Sequence, residues 1–128
     1  MNVIEKILAY HAGKSLVIPG EIIDVNIDYI MVNDACGPLA IDAFEKELGG
    51  RQVFNQEKII LVLDHYTPST SAEAASKHNQ IRNFAKKHKI RHFYENSGIC
   101  HKLMVENHVR PGQLILGADS HTCSYGAL

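Results

Sequence analysis

The sequence contains few cysteines and none in a paired spacing, and both facts limit what the protein can be. Cys36, Cys100 and Cys123 are unevenly spaced and form no Cys-x-x-Cys. An odd number of unpaired cysteines argues against a disulfide scaffold, and no compact group of Cys and His has the spacing of a zinc site. We therefore expect each cysteine to be a small buried side chain and expect no metal ligands in this chain.

Long apolar runs and blocks of one charge are also missing. The longest apolar run covers residues 59–63, whereas a membrane-spanning helix needs roughly 20 apolar residues. Residues 1–12 include Glu5 and Lys6 and no cleavage site follows them, so we predict no signal peptide. The formal net charge is −1, without a basic block suited to RNA or DNA. We expect a cytoplasmic protein that binds neither nucleic acid nor a membrane.

The sequence does contain helical and extended patterns in alternation. Apolar residues recur at helical spacing over residues 2–12, 38–48, 70–87 and 99–106. Extended patterns cover residues 22–32, 59–63, 91–94 and 113–116. A chain of 128 residues that alternates in this way predicts one α/β domain over residues 1–128. We expect three layers, with a mostly parallel sheet between helices on both faces.

Residues typical of element ends support these boundaries. Asn2 is a candidate N-cap for the first helix, and Gly13 is its predicted stop. Gly49-Gly50 should end the second helix, and Thr70 with Glu73 should form a capping box for the third. In residues 22–32, apolar and polar residues alternate, which predicts a strand with one face in water.

Polar residues follow the predicted strands where each strand ends. These residues are Asn33-Asp34, Asp64-His65, His101 and Asp119-Ser120-His121-Thr122. Ligands of an open parallel sheet bind beyond the carboxyl ends of its strands, so we expect these side chains to meet at one edge. A carboxylate beside an imidazole raises the pKa of the imidazole and fixes its tautomer, which makes a general acid at neutral pH. Several such pairs suit a substrate that carries several carboxylates and loses a hydroxyl.

Each motif alone is also compatible with a purely structural role. Asp64-His65 fits a capped turn, His101 fits a satisfied core or surface histidine, and the segment 119–122 fits an N-cap cluster. Segment 119–122 should not be a Ser-His-Asp triad, because adjacent residues in a turn seldom adopt that geometry. We interpret the remaining histidines as structural, without functional partners: His11, His78, His88, His92 and His108. Three histidines at successive strand ends nevertheless favour a site.

Five segments carry a resemblance to a known family. They are Glu5-Lys-Ile-Leu8, Asn33-Asp34 with Pro38-Leu39, Leu63-Asp64-His65, Gly98-Ile-Cys-His101 and Gly117-Ala-Asp-Ser-His-Thr-Cys-Ser-Tyr-Gly126. Over essentially its whole length the chain resembles the N-terminal part of large subunits in the aconitase superfamily, in particular the branch of 3-isopropylmalate dehydratase and homoaconitase. The last segment is the most specific of the five.

The resemblance implies part of a [4Fe–4S] hydro-lyase that dehydrates and rehydrates a hydroxy-di- or tricarboxylate. Isopropylmalate in leucine biosynthesis is the favoured substrate, with homoaconitate, 2,3-dimethylmalate and citrate as alternatives. The implied catalytic residues are Asp64, His65, His101, Asp119 and His121. His65 matches the histidine that protonates the leaving hydroxyl, and Asn33 and Ser120 match positions that contact the substrate.

The resemblance also implies components that this chain lacks. The cysteine ligands of the cluster lie downstream in the family, and a serine base belongs to a small swivelling subunit. We therefore expect an N-terminal fragment of a longer large subunit, inactive alone and without stoichiometric iron. Its expected partners are the small subunit and a hydroxy-polycarboxylate substrate, and an apolar sheet edge would favour self-association. The alternative from another class is a non-catalytic interaction module that retains the fold.

Overall fold

Four short parallel strands form the centre of the computed structural model, which describes residues 1–49 and 51–128. The strands are β1 (Tyr29–Asn33), β2 (Ile59–Leu63), β3 (His92–Glu95) and β4 (Ile115–Gly117). Their order across the sheet is β3-β2-β1-β4, so β1 and β2 are central. Ile30 of β1 lies opposite Ile59 of β2 and Leu116 of β4. The predicted parallel sheet is confirmed.

Helices cover both faces of this sheet. Within the described residues they are α1 (Val3–Ala12), α2 (Gly37–Leu48), α3 (Ala72–His88) and α4 (Cys100–Asn107), with 3₁₀ segments at Gln56–Lys58 and Thr122–Ala127. On one face, α2 and α3 enclose a buried cluster that includes Leu61 and Ile81. On the other, α4 and Tyr125 pack with Ile60 in a second cluster. The three-layer α/β arrangement is therefore confirmed. None of the described helices has the length and apolar character needed to cross a membrane.

Three of the predicted helix ends are observed and one is displaced. The Asn2 side chain accepts from the Glu5 N–H at 2.9 Å and Glu5 accepts from the Asn2 N–H at 2.8 Å, so α1 begins with a full capping box. Gly13 ends α1 with a positive φ of 64°, which glycine adopts without strain. The capping box predicted at Thr70 is wrong, because Ser71 is the N-cap of α3. Gly49 ends α2, and Gly50 lies outside the described residues.

The strand predicted over residues 22–32 is wrong for most of its length. Only Tyr29–Asn33 pairs with neighbouring strands, because β2 and β4 flank the chain there and not earlier. The preceding residues belong to no helix or strand, and Ile23 and Val25 line a groove together with Leu8 of α1. Their alternation therefore reflects one-sided packing against a helix, which has the same two-residue period as a strand.

Two of the histidines that we interpreted as structural hold distant segments of the chain together. His11 at the end of α1 contacts the carbonyl oxygens of Asn26 at 2.7 Å and Gly112 at 3.1 Å through its two ring nitrogens. The Nε2 atom of His108 lies 2.8 Å from the hydroxyl of Tyr94. Both rings are buried with polar partners, as buried polar groups usually are.

Candidate active site

The carboxyl ends of the strands converge at one edge of the sheet, and the predicted site residues lie there. Asn33 is the last residue of β1, Asp64 directly follows β2, and Asp119 follows β4. His101 lies in the first turn of α4, which comes after β3. Residues from four separate parts of the sequence therefore meet through the parallel topology alone.

Asp64 and His65 form a hydrogen-bonded pair. The Nδ1 atom of His65 lies 2.7 Å from Oδ1 of Asp64. The other carboxylate oxygen of Asp64 accepts from the backbone N–H of Cys100 at 2.7 Å, which ties the start of α4 to this pair. Asp64 is thus held from two sides and fixes the orientation of the imidazole, whose side chain remains 38% exposed.

His65 lies among three carboxylates. Besides Asp64, the Oδ1 atom of Asp34 lies 3.7 Å from Nδ1, and the Oδ2 atom of Asp119 lies 3.8 Å from Nε2. Desolvation of the ring lowers the pKa of His65, but the hydrogen bond to Asp64 and the three negative charges raise it by more. The pKa of His65 therefore lies above its ordinary value of 6.5, which favours the imidazolium form.

Asp119 joins the remaining predicted residues. Its Oδ1 atom lies 2.9 Å from Nε2 of His101 and accepts from the backbone N–H of His121 at 2.7 Å. Its Oδ2 atom accepts from Nδ2 of Asn33 at 3.1 Å. The His121 N–H lowers the pKa of Asp119 and burial raises it, while Asn33 and His101 add further lowering; the net pKa is below the ordinary value. Asp119 is therefore a carboxylate at neutral pH.

Tyr125 supports His101 from behind, a role that its place in the sequence motif did not predict. Its hydroxyl lies 2.7 Å from Nδ1 of His101, and its side chain is buried against the sheet. When Nε2 of His101 donates to Asp119, its Nδ1 atom can accept from the Tyr125 hydroxyl. The three side chains thus form a chain of hydrogen bonds that orients the ring of His101.

Ser120 and His121 lie at the exposed rim of the site. The His121 side chain is 79% exposed, and Oγ of Ser120 lies 3.3 Å from its Nδ1 atom. The Oδ1 atom of Asp119 lies 3.4 Å from the same nitrogen. A catalytic triad would place the serine and the carboxylate on opposite ring nitrogens, so this segment is not a triad.

Asn33 lies behind the site, with no exposed surface. Its Oδ1 atom accepts from the backbone N–H groups of Ala35 and Cys36, both at 3.1 Å. Its amide nitrogen is the group that donates to Asp119. The amide therefore serves the internal structure of the site, and contact between Asn33 and a substrate stays a prediction.

Asp34, which the sequence placed among the polar residues at this edge, forms a buried pair with His78 that the sequence did not predict. Asp34 accepts from the backbone N–H groups of His65 and Tyr66 at 2.9 Å and of Asp64 at 3.3 Å. Its Oδ2 atom also lies 2.7 Å from Nε2 of His78 on α3. His78, interpreted from sequence as a histidine without a partner, therefore pairs with a carboxylate directly behind the Asp64-His65 turn.

The cysteines do not fit a [4Fe–4S] cluster, which requires several thiolates around one space. The predicted burial is observed only for Cys100 and is wrong for the other two, because Cys36 is half-buried and Cys123 is exposed. Among the described residues, two groups of side chains could ligate a metal ion: Asp64 with His65 and Cys100, and His101 with Asp119 and His121. Each group holds at most one thiol. Burial and the neighbouring Asp64 raise the pKa of Cys100 to about 12, the reverse of what a thiolate ligand needs.

Comparison with known proteins relates the whole chain to one family. The model of the Aconitase family (aconitate hydratase) matches residues 5–128. The 3-isopropylmalate dehydratase large subunit of Thermodesulfovibrio yellowstonii is 51% identical over 131 residues, which cover 100% of this chain and 31% of that protein. The protein of the same name from Endomicrobium trichonymphae is 50% identical, with coverage of 99% and 31%.

A third relative gives a similar result. The 3-isopropylmalate dehydratase large subunit 1 of Archaeoglobus fulgidus is 46% identical over 128 residues, which cover 99% of this chain and 30% of that protein. The chain thus spans about a third of the length of the curated relatives it matches.

Proposed function

The chain belongs to the aconitase family, and we propose that it supplies the acid side of the active site of a hydro-lyase that isomerises 3-isopropylmalate. The reaction removes water from the hydroxy acid and adds it back at the neighbouring carbon. The observation that carries this proposal is the position of His65, whose ring lies among the carboxylates of Asp64, Asp34 and Asp119 at the open edge of the sheet.

His65 is the proposed general acid. Hydroxide is a poor leaving group, so the hydroxyl must receive a proton as its bond to carbon breaks. Asp64 occupies Nδ1 of His65, which leaves Nε2 as the atom that delivers the proton. The raised pKa of His65 favours retention of this proton on the ring. A well-placed acid of this kind contributes roughly 10²- to 10⁴-fold to the rate.

The second group of residues is proposed to bind and orient the substrate. His101 is held by Asp119 and Tyr125, and His121 with Ser120 forms the exposed rim where a substrate carboxylate would lie. Within the part of the chain that the structure describes, the ion pairs of this site join histidines only to aspartates. A substrate with two carboxylates needs further cations, which we propose come from outside residues 1–128.

The remaining machinery is assigned to other parts of the enzyme. We propose that the cysteine ligands of a [4Fe–4S] cluster lie in the rest of a large subunit and that a small subunit completes the site. The names of the relatives, which specify a large subunit, support a small-subunit partner. The pathway proposed is leucine biosynthesis, in the cytoplasm.

A substrate panel tests the proposal. The large subunit that carries this chain is combined with its small subunit and assayed with 3-isopropylmalate, homoaconitate, 2,3-dimethylmalate and citrate. We expect 3-isopropylmalate to give the highest kcat/KM. A higher value for another of these acids would show that the substrate is wrong and the reaction class right. No turnover of any of the four would refute the reaction class.

A further inference from the structure

Two consecutive residues at the end of the central strand contact both histidine–carboxylate pairs from behind. Asn33 donates to Asp119, and Asp34 accepts from the backbone of Asp64, His65 and Tyr66. Asn33 and Asp34 are each 0% exposed, so in this structure neither side chain is open to a substrate. We propose that Asn33 and Asp34 are positioning residues that fix the two pairs relative to each other. This inference rests on the proposed function, because the geometry matters only if His65 and Asp119 act together.

The surroundings of Asp34 show why a carboxylate is used at this position. A buried charge is costly unless it is hydrogen-bonded, and the surroundings of Asp34 supply four donors. Three of them are the successive N–H groups of residues 64–66, which converge on one carboxylate only when that turn has a single backbone conformation. A carboxylate accepts all of these bonds, whereas an amide or hydroxyl would present a donor to some of them. Asp34 therefore acts as a template for the turn that presents His65.

Charge is the second effect of Asp34. Its Oδ1 atom lies 3.7 Å from Nδ1 of His65, so its negative charge stabilises the imidazolium. The other titratable groups that the described residues place around this ring are Asp64, Asp119 and the thiol of Cys100, whose sulfur lies within 4.8 Å of ligand atoms of Asp64 and His65. On the far side of Asp34, Oδ2 contacts His78, whose Nδ1 atom lies 2.9 Å from the hydroxyl of Ser69. Asp34 thus both places His65 and helps to keep it protonated.

Histidine ring titration measures this effect without any need for turnover. Nitrogen–proton correlation spectra of the full chain are recorded against pH for the wild type and for Asp34→Asn, with the His65 signals identified by their loss in His65→Gln. We expect Asp34→Asn to lower the pKa of His65 by roughly 0.5 to 1 unit. The matched control is Asp24→Asn, which removes an exposed carboxylate and should leave the titration unchanged. An unchanged pKa of His65 in folded Asp34→Asn would overturn the proposal.

Amide hydrogen exchange in the wild type covers the case in which Asp34→Asn does not fold. The N–H groups of His65 and Tyr66 lie in a turn outside any helix or strand, yet they donate to a buried carboxylate. We expect both to exchange at least about 100-fold more slowly than in an unstructured peptide, because exchange requires local opening. Exchange at the unstructured rate would overturn the role of Asp34.

Asn33→Ala tests the other half of the pair. The variant removes a donor to Asp119, so we expect the pKa of the Asp119 carboxyl, followed by carbon NMR, to rise. An unchanged pKa of Asp119 would overturn the role of Asn33. These readouts are independent of activity. If the pKa shifts appear and no hydroxy acid is turned over, the positioning role stands and the proposed function is refuted. If the pKa values are unchanged and 3-isopropylmalate is turned over, the proposed function stands and the positioning role is refuted.

Discussion

The Nε2 atom of His65 lies 3.8 Å from the Oδ2 atom of Asp119. This contact joins the turn after β2 to the turn after β4, and it converts two histidine–carboxylate pairs into one site. Because β2 and β4 lie on either side of β1 in the parallel sheet, the separation of the two turns is set by the spacing of the sheet. A substrate bound here would meet an imidazolium and a carboxylate at the same time.

The charge of His65 should determine the alkaline limit of activity. Its pKa is raised, so the imidazolium persists above pH 6.5 and is lost as the pH rises through the higher folded value. Asp64→Asn removes the charge and weakens the hydrogen bond that together do most to raise this pKa, since an amide oxygen is a neutral acceptor. We expect the alkaline limb of the kcat/KM profile of the assembled enzyme to move to lower pH in Asp64→Asn. An alkaline limb at the same pH in both enzymes would show that His65 is not the acid.

Removal of the Tyr125 hydroxyl should loosen His101. Tyr125→Phe keeps the buried ring and deletes the bond of 2.7 Å to Nδ1 of His101. We expect a loss of about 1 kcal/mol in the free energy of unfolding, measured by urea titration, and a decrease in kcat of roughly tenfold. Tyr10→Phe is the matched control, because Tyr10 is largely exposed on α1. Equal kcat values for the two variants would contradict the role given to Tyr125.

Gly117 should tolerate no side chain. A Cβ atom at this position would overlap the side chain of Thr122, which donates through its hydroxyl to the carbonyl of Asp119 at 2.8 Å. We expect Gly117→Ala to displace the turn that carries Asp119 and to lower the free energy of unfolding by about 1 to 3 kcal/mol. Gly126→Ala, which meets no atom within 4 Å, should cost much less. Thermal unfolding of the two variants decides the point, and equal stabilities would refute the expected overlap.

Asp34 should make stability depend on pH at the acid end. Burial raises the pKa of Asp34, but the bonds from Tyr66, His65, His78 and Asp64 together lower it below 3.8. A carboxyl group with a lowered folded pKa stabilises the protein fully above its unfolded pKa, and this contribution is lost as the pH falls through the folded value. We expect Asp34→Asn to cost about 2 to 4 kcal/mol at pH 7, and less as the pH falls below about 4. A urea-derived difference that stays constant over this range would contradict this linkage.

Local patterns predicted the elements that depend on local interactions. The cap at Asn2, the stop at Gly13 and the buried strand Ile59–Leu63 all follow from neighbouring residues and were confirmed. The extended pattern in residues 22–32 was only partly a strand, because strand pairing depends on β2 and β4, which lie far away in sequence. A period of two residues cannot distinguish a paired strand from an extended segment that packs on a helix.

In the candidate site, too, sequence predicted the residues with a local signal and missed those that depend on distant partners. Asp64-His65 and Asp119 were accessible to sequence reasoning because carboxylates beside histidines at strand ends indicate ligand chemistry. Tyr125 and His78 were not, because each acts through a partner brought close only by tertiary packing. Asp34 had one local signal, its place next to Asn33 after β1, but its four donors come from two other segments.

Turnover of 3-isopropylmalate by His65→Gln tests the central claim most directly. The variant is measured in the assembled enzyme beside His92→Gln, which replaces a histidine on β3 that lies against His108, away from the strand-end site. We predict that His65→Gln lowers kcat by roughly 10²- to 10⁴-fold with little change in KM, and that His92→Gln keeps near wild-type kcat. A His65→Gln enzyme with wild-type kcat would contradict the assignment of this site as the acid side of a hydro-lyase.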